Sequence, residues 1–409
     1  MITSHFPPYH LGGYELRCRE VLDGLAHKGH KICVITSLKE GQSKSSDQIH
    51  PYEIIRKLHI RKKARHFIEE VILDLQDTAL LDRQIKRFQP DVIYLGHIMP
   101  LSKALMPYLA ACKIPIVYDE GGMELIAGWE NRGRWFYFIE DYVSRYSILN
   151  KIKPLVINII CKGSGKRIKS HWAWPDAMQI VFNSELNLRN TIAKGVPINR
   201  FKVVHSGLDF EKFTFIPKTK LASPLLFIVP GRIEPPKGQK DAVRLLAKLR
   251  EYGIDGNVII VGEKYSNSYF LEIEHEITKF QLDHKIIFYP MLAQKQLIDL
   301  YHQADICFFP SYHKTGYSRV SLEAMACGCI VISYGNEGSD EIIRNQQTGF
   351  LVRSEDYQRI AEIIKEIILD PGLFRDILWN ARKKVEENSS MQKYVDRIEE
   401  IVVNTAGVD

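Results

Sequence analysis

Two cations flank a proline pair in VPGRIEPPKGQKDAV (229–243), and they raise the question of what they hold. The apolar run before them ends at Gly231, and Arg232 and Lys237 stand on the segment that leads into the next helix-period stretch. Two positive charges, a glycine and a helix N-terminus make an anion site able to take a diphosphate. A solvated basic loop is the plainer account. In PSYHKTGYSRVSLEAMACGCIVISYGNEGSDEII (310–343), Gly316 opens a loop and Val320–Ala326 reads as a helix with Glu323 in its early turn. A carboxylate there suits the helix dipole and accepts both hydroxyls of a ribose. A helix-start acid with no ligand is the alternative. A third stretch, HFPPYHLGGYE (5–15), places Gly12 and Gly13 where a helix begins. Bare backbone there lets a ligand approach the first N–H groups, a good position for phosphate, although a tight turn alone would use the same residues.

Several devices are missing. No Asp-x-Asp pair occurs, which removes the usual metal–diphosphate bridge, and no His/Cys group has metal-ligand spacing. CKGSGKR (161–167) carries Ile160 where the leading glycine of a phosphate-binding loop belongs. There is no dinucleotide fingerprint and no convincing Ser/His/Asp order, though residues distant in sequence could still assemble a triad. The expectation is a site with no metal and no cofactor.

The elements that must position these residues follow one pattern. Apolar, β-branched runs at 31–37, 91–97, 114–120 and 178–184 alternate with helix-period segments, of which one begins at Tyr14 and stops at Gly29 and another covers about 66–88. After 205–224, rich in Lys, Pro and Ser, the alternation restarts with LLFIVPG (225–231). Strands alternating with helices imply α/β architecture with parallel, doubly wound sheets. We expect domains at 1–210 and 211–385, and a closing helix in 386–409 that crosses back to the first domain. Residues 38–52 and 129–175 fit the pattern poorly and read as long loops or inserts.

Length agrees with two domains, since 409 residues exceed one ordinary core. A net charge of +6 favours anionic ligands without implying nucleic acid. Seven scattered cysteines read as reduced thiols, hence a cytoplasmic protein. The run PLVINIIC (154–161) is far too short to span a bilayer, so any membrane contact is peripheral, at the inner face. RKLHIRKKARH (56–66), RWFYF (134–138) and KGSGKRIK (162–169) combine charge with aromatics and could meet an anionic membrane or a lipid-linked acceptor; solvated loops are the simpler reading.

Taken together, the stretches resemble the large family of retaining, nucleotide-sugar-dependent glycosyltransferases of the GT-B fold, the family 4-like, group 1 enzymes that include sucrose synthase-like and bacterial mannosyl- and glucosyltransferases. HFPPYHLGGYE resembles the family's opening donor loop and SGLDFEKF its inter-domain segment. GRIEPPKG, LYHQADICFFPS, LEAMACGCIVI and DEIIRNQQTGFLV resemble four later blocks in the family's order and spacing. The resemblance covers nearly the whole chain. It implies two Rossmann-like domains facing a cleft, an NDP-sugar donor, and a glycan, lipid or small-molecule hydroxyl acceptor. The hexose would move with retention of configuration and without a metal.

The resemblance also implies roles. Gly12 and Gly13 would approach the donor phosphates, Arg232 and Lys237 would neutralise the departing diphosphate, and Glu323 would hold the ribose. The segment Thr315, Gly316, Tyr317, Ser318, Arg319 and Val320 would line the donor, with backbone amides near Ser318–Val320 on its phosphates. Two positions depart from the pattern. Thr315 stands eight residues before Glu323, where the family has a second Glu. Asp119-Glu120-Gly121-Gly122 stands where it has His-Asp, so Asp119, Glu120 or His97 is expected to serve the acceptor side. The family also begins with a full apolar strand, whereas Met1 and Ile2 alone precede the polar start of the loop here, which suggests a late start or a sheet depleted at its edge. An epimerase of the same fold, or a non-catalytic nucleotide-sugar-binding relative, are the competing readings.

Overall fold

The computed structural model describes residues 1–9, 12–37, 50–61, 67–140, 147–173 and 177–407. The chain divides into two compact units. The first comprises Met1–Asn183, Asn187–Val204 and Val395–Asp409, and the second Ser184–Leu186 and His205–Tyr394.

In the first unit, β1 (Cys33–Ser37) pairs with β2 (Glu53–Leu58), and β3 (Ile93–Leu95), β4 (Ile116–Glu120), β5 (Gln179–Phe182) and β6 (Arg200–Val203) form a second ladder. All pairings are parallel. Residues 1–4 join the two ladders: Ile2 bridges both Ile35 and Leu95. Its N–H donates to Tyr94 O at 2.9 Å, and its carbonyl accepts from Gly96 N at 3.0 Å. The opening segment is therefore central rather than a depleted edge, and chain order reverses beside it. Side chains at alternate positions of these strands, Ile35, Leu95, Tyr118 and Phe182 among them, form the core.

The second unit has one six-stranded parallel sheet, ordered β12 (Phe350–Leu351), β11 (Ile330–Ser333), β10 (Ile306–Phe309), β7 (Leu225–Pro230), β8 (Gly256–Val261) and β9 (Ile286–Tyr289). Phe227 and Val229 pack on one face, Ile228 on the other, as period two requires. The order reverses between β10 and β7, and ligands of open α/β sheets bind beyond the carboxyl ends of strands at such a point.

Three expectations change. Residues 129–175 are not an extended loop: helices cover Gly133–Glu140 and Ser147–Gly163. They form because Trp135, Phe136, Ile157, Ile160 and Cys161 recur at helical spacing and cover Val71 and Ala104. The basic stretch 56–66 begins inside β2, where buried Arg56 donates to the carbonyls of Phe6 at 3.0 Å and Pro7 at 2.7 Å. Arg61 pairs with Glu70 at 3.0 Å and with Asp74. Residues 62–66, and residues 38–49 of the first expected loop, lie outside the described residues. Glu323 lies beyond the first turn of its helix, which begins at Arg319, so its environment owes little to the helix dipole.

Candidate functional site

In the first unit the site grows from the loops after residues 1–4, β3 and β4. Arg56 pins the proline-rich loop, and the helix Gly13–His27 starts directly after it. Gly12 has an extended backbone (φ −174°), with nothing near the place a Cβ would occupy. It contributes open space and an N–H that donates to Glu15 Oε2 at 3.1 Å. His97, just past β3, is held from both sides: Nδ1 lies 3.1 Å from Glu15 Oε1 and Nε2 3.3 Å from Glu124 Oε1. Burial pushes the imidazole down, but the hydrogen bond it donates to Glu15 and the charges of Glu124, Glu15 and Glu120 outweigh it, leaving His97 above its usual value. Burial pushes Glu15 up, and His97 with the Gly12 N–H overcomes it, so Glu15 is held low. Glu124 stays raised by burial despite His97.

His5 completes the group. One ligand-capable atom each of His5, Glu15 and His97 lies within 4.8 Å of the others. Sequence spacing concealed this assembly, because His97 comes from the loop after β3, far along the chain from His5 and Glu15. The ring nitrogens of His97 are engaged by Glu15 and Glu124, so the cluster as it stands is a hydrogen-bonded relay.

The two acids of the Asp-Glu-Gly-Gly stretch turn inward. Asp119 accepts from Arg17 Nη2 at 2.6 Å and from Tyr94 Oη at 2.8 Å, with 1% exposure. Glu120 is wholly buried and accepts backbone N–H groups of Gly122 (2.8 Å), Glu124 (3.1 Å) and Leu125 (2.8 Å). Burial and the Glu124 charge raise it to about 7 against those donors. Glu120 builds the turn after β4, and Asp119 ties β4 to the helix Gly13–His27 and to β3. Of the three residues expected on the acceptor side, His97 retains partial exposure, 15% for its side chain.

In the second unit the loop after β7 carries Arg232, half-exposed, with its guanidinium 2.9 Å from Glu234 and 5.1 Å over the Tyr265 ring. Lys237 Nζ lies 2.7 and 2.8 Å from the two carboxylate oxygens of Glu337, which also accepts from Ser311 Oγ at 2.6 Å. His313 is pushed down by burial and by Lys237. Thr315 and Gly316 follow on the same loop, and a Cβ on Gly316 would stand 3.2 Å from Glu337 Cγ. Tyr317 stacks on His205 at 4.6 Å between ring centres. Ser318 caps the helix Arg319–Cys327, its Oγ accepting from Ser321 N at 3.1 Å, and Val320 packs against the core. Glu323 accepts from Arg319 Nε at 3.0 Å and from the buried Tyr301 hydroxyl at 3.2 Å, which fixes its carboxylate. The structure thus brings Arg232, Lys237 and the 315–323 segment to the reversal of the second sheet. It also adds Glu337, Glu234 and His313.

Residues 211–390 match the family described as glycosyl transferases group 1, and residues 11–151 match glycosyltransferase family 4. The chain belongs to the group 1 glycosyltransferases. An uncharacterised glycosyltransferase of Methanocaldococcus jannaschii is 23% identical over 95% of this chain and 94% of its own. Several further curated relatives are matched over about half their length. Among solved structures, the sucrose-phosphate synthase of Thermosynechococcus elongatus superposes with a TM-score of 0.72 at 16% identity, covering 100% of this chain and 98% of that one. Anabaena HepE, solved with UDP-glucose, gives 0.68 at 18% identity with 98% of each chain covered. These likenesses establish the GT-B fold. For this glycosyltransferase, Glu15, Glu124 and Glu337 are acids of the candidate site that sequence reasoning passed over. The signals were local ones: an acid three residues after Gly12, another four after Glu120, and a third inside GNEGSDE.

Proposed function

We propose that this glycosyltransferase moves a hexose from a nucleoside-diphosphate sugar to a hydroxyl acceptor, with retention of configuration and without a divalent ion. The observation that carries the reading is the pair Arg232 and Lys237 at the reversal of the second sheet, on the loop between β7 and the helix Gln239–Glu251. Anabaena HepE, of the same fold, was solved with UDP-glucose, which supports a nucleotide-sugar donor.

In this reaction the bond from the anomeric carbon to the phosphate oxygen breaks, and a bond to the acceptor oxygen forms on the same face. The acceptor's proton passes to the departing phosphate. Negative charge builds on that phosphate, where fixed cations act most strongly. Lys237 is paired with Glu337, so donor binding exchanges one anion for another. Glu323 holds the ribose hydroxyls, its orientation set by Tyr301 and Arg319. His97 with Glu15 and Glu124 serves the acceptor and sugar side.

The test is a thermal-shift screen with UDP-, GDP- and ADP-sugars, followed by product analysis by NMR with and without chelator. One donor should stabilise the protein, and the product anomer should match the donor's with EDTA present. Arg232→Ala should lose about 10²–10³ in turnover. Unchanged turnover in that variant, or activity lost to EDTA and restored by magnesium, overturns the reading.

A further inference from the structure

The helix Ser147–Gly163 of the first unit has two apolar faces. On one, Ile157, Ile160 and Cys161 pack against the cluster of Val71, Trp135, Phe136 and Ile168. On the other, Ile152, Leu155 and Ile159 fall within about 60° of arc, given 3.6 residues per turn, and they are 44%, 59% and 61% exposed. Three large aliphatic side chains left in water along two turns are costly in a monomeric surface, and such a stripe marks a contact. The neighbouring elements extend the pattern. Ile68 and Ile72 are exposed on the helix Phe67–Phe88, and Tyr137 is exposed on the helix Gly133–Glu140.

Charge says what the contact is. From 147 to 169 the chain carries six cations, at Lys151, Lys153, Lys162, Lys166, Arg167 and Lys169, and no carboxylate. Lys151 and Lys162 are exposed and lie on one flank of the stripe, while half-buried Lys153 falls on the packed face with its ammonium 5.6 Å over the Phe138 ring. An apolar stripe bordered by exposed lysines is the pattern of a helix lying in a membrane interface, acyl chains under the stripe and phosphates at the cations. A second copy of the chain fits poorly, since a two-fold contact would set like charges against each other.

We propose that the helix Ser147–Gly163 docks this glycosyltransferase on an anionic lipid bilayer, with Ile152, Leu155 and Ile159 in the acyl boundary and its lysines at the headgroups. No described helix is long and apolar enough to cross a membrane, so this contact is interfacial. The inference is independent of donor chemistry and stands or falls without it.

The experiment is flotation of the full chain with phosphatidylcholine vesicles, with or without about 30% phosphatidylglycerol, at about 50 and about 500 mM salt. The protein should rise with the anionic vesicles at low salt and stay behind with the neutral ones. The triple change Ile152→Glu, Leu155→Glu, Ile159→Glu should abolish flotation while the melting temperature and nucleotide binding hold. Should that variant melt early, Lys151→Gln, Lys162→Gln, Lys166→Gln carries the test, with partitioning weakened by on the order of a hundredfold. Failure of the wild type to float, or flotation of both variants like the wild type, overturns the proposal. So does a wild-type dimer that the glutamates dissolve, which would assign the face to self-association.

Discussion

His97 carries the most contested charge in the first unit's candidate site. Burial opposes its protonation and three nearby carboxylates favour it, and the carboxylates win. A histidine raised in the folded chain adds stability in full below its ordinary value near 6.5 and loses it as pH rises through the folded value. Glu124→Gln removes one of those charges and keeps an oxygen to accept the Ile98 N–H, now 3.0 Å away. We expect the His97 titration, followed by NMR, to move downward in that variant, and the alkaline loss of stability to begin at lower pH. An unmoved titration would show that Glu124 does not hold the ring. In the second unit, Glu337 occupies Lys237 and adjoins Gly316, next to the position where Thr315 replaces an acid. Glu337→Gln should tighten binding of the nucleoside diphosphate by about fivefold, because Lys237 no longer exchanges partners. If Glu337 also does the work of the missing acid on the sugar, turnover should fall in the same variant. Calorimetry with UDP and rate measurement with the full donor separate the two effects.

At the scale of elements, the loop after β7 is shaped by Gly238, which has φ +69° and links the turn Pro235–Lys237 to the following helix. A Cβ there would run into the carbonyl of Pro310. Gly238→Ala should cost about 3 kcal/mol, combining a left-handed backbone with a displaced loop after β10, and lower the melting temperature by about 10 °C. Gly12→Ala meets open space and extended backbone, so its stability should stay within about 0.5 kcal/mol of the parent. The same contrast explains what was legible in the sequence. Parallel strands buried on both faces read as apolar runs, so β1, β3, β4, β5 and β7 stood out. β2 did not, because three of the six residues of EIIRKL are charged and Arg56 is buried to hold a loop. The helices in 133–163 hid because helix Ser147–Gly163 is apolar on two sides and contains Pro154. The charged loop residues Arg232 and Lys237 were readable from their place between strand and helix. The Glu15–His97–Glu124 relay was not, since two helix starts and the loop after β3, separated by many residues in the chain, bring it together.

Over the whole molecule, each unit has its own core, yet the first is completed by the far end of the chain. The helix Met391–Ala406 gives Val395, Ile398, Ile401 and Val402 to it, all buried. Its seat is close: a Cβ on Gly24, in the helix Gly13–His27, would lie 2.7 Å from the Val395 methyls. Around that contact Lys28 pairs with Asp396 at 2.6 Å and with Glu399 at 2.5 Å, and His30 with Glu399 at 2.8 Å. These pairs are too exposed to hold the helix by charge. The four aliphatic side chains are another matter: at about 1.5–3 kcal/mol each, they amount to about 6–12 kcal/mol, comparable to the entire stability of a domain. Ending the chain after Tyr394 should therefore unfold the first unit and leave the second, which keeps the 205–394 core and the seat of Gly207 against Met391. Limited proteolysis should then digest residues before 184 quickly, while a fragment near 205–394 persists and is further protected by the nucleoside diphosphate of the proposed donor. If the shortened chain melts in one step and loses both units together, the two cores are a single cooperative body, and the helix supports each of them.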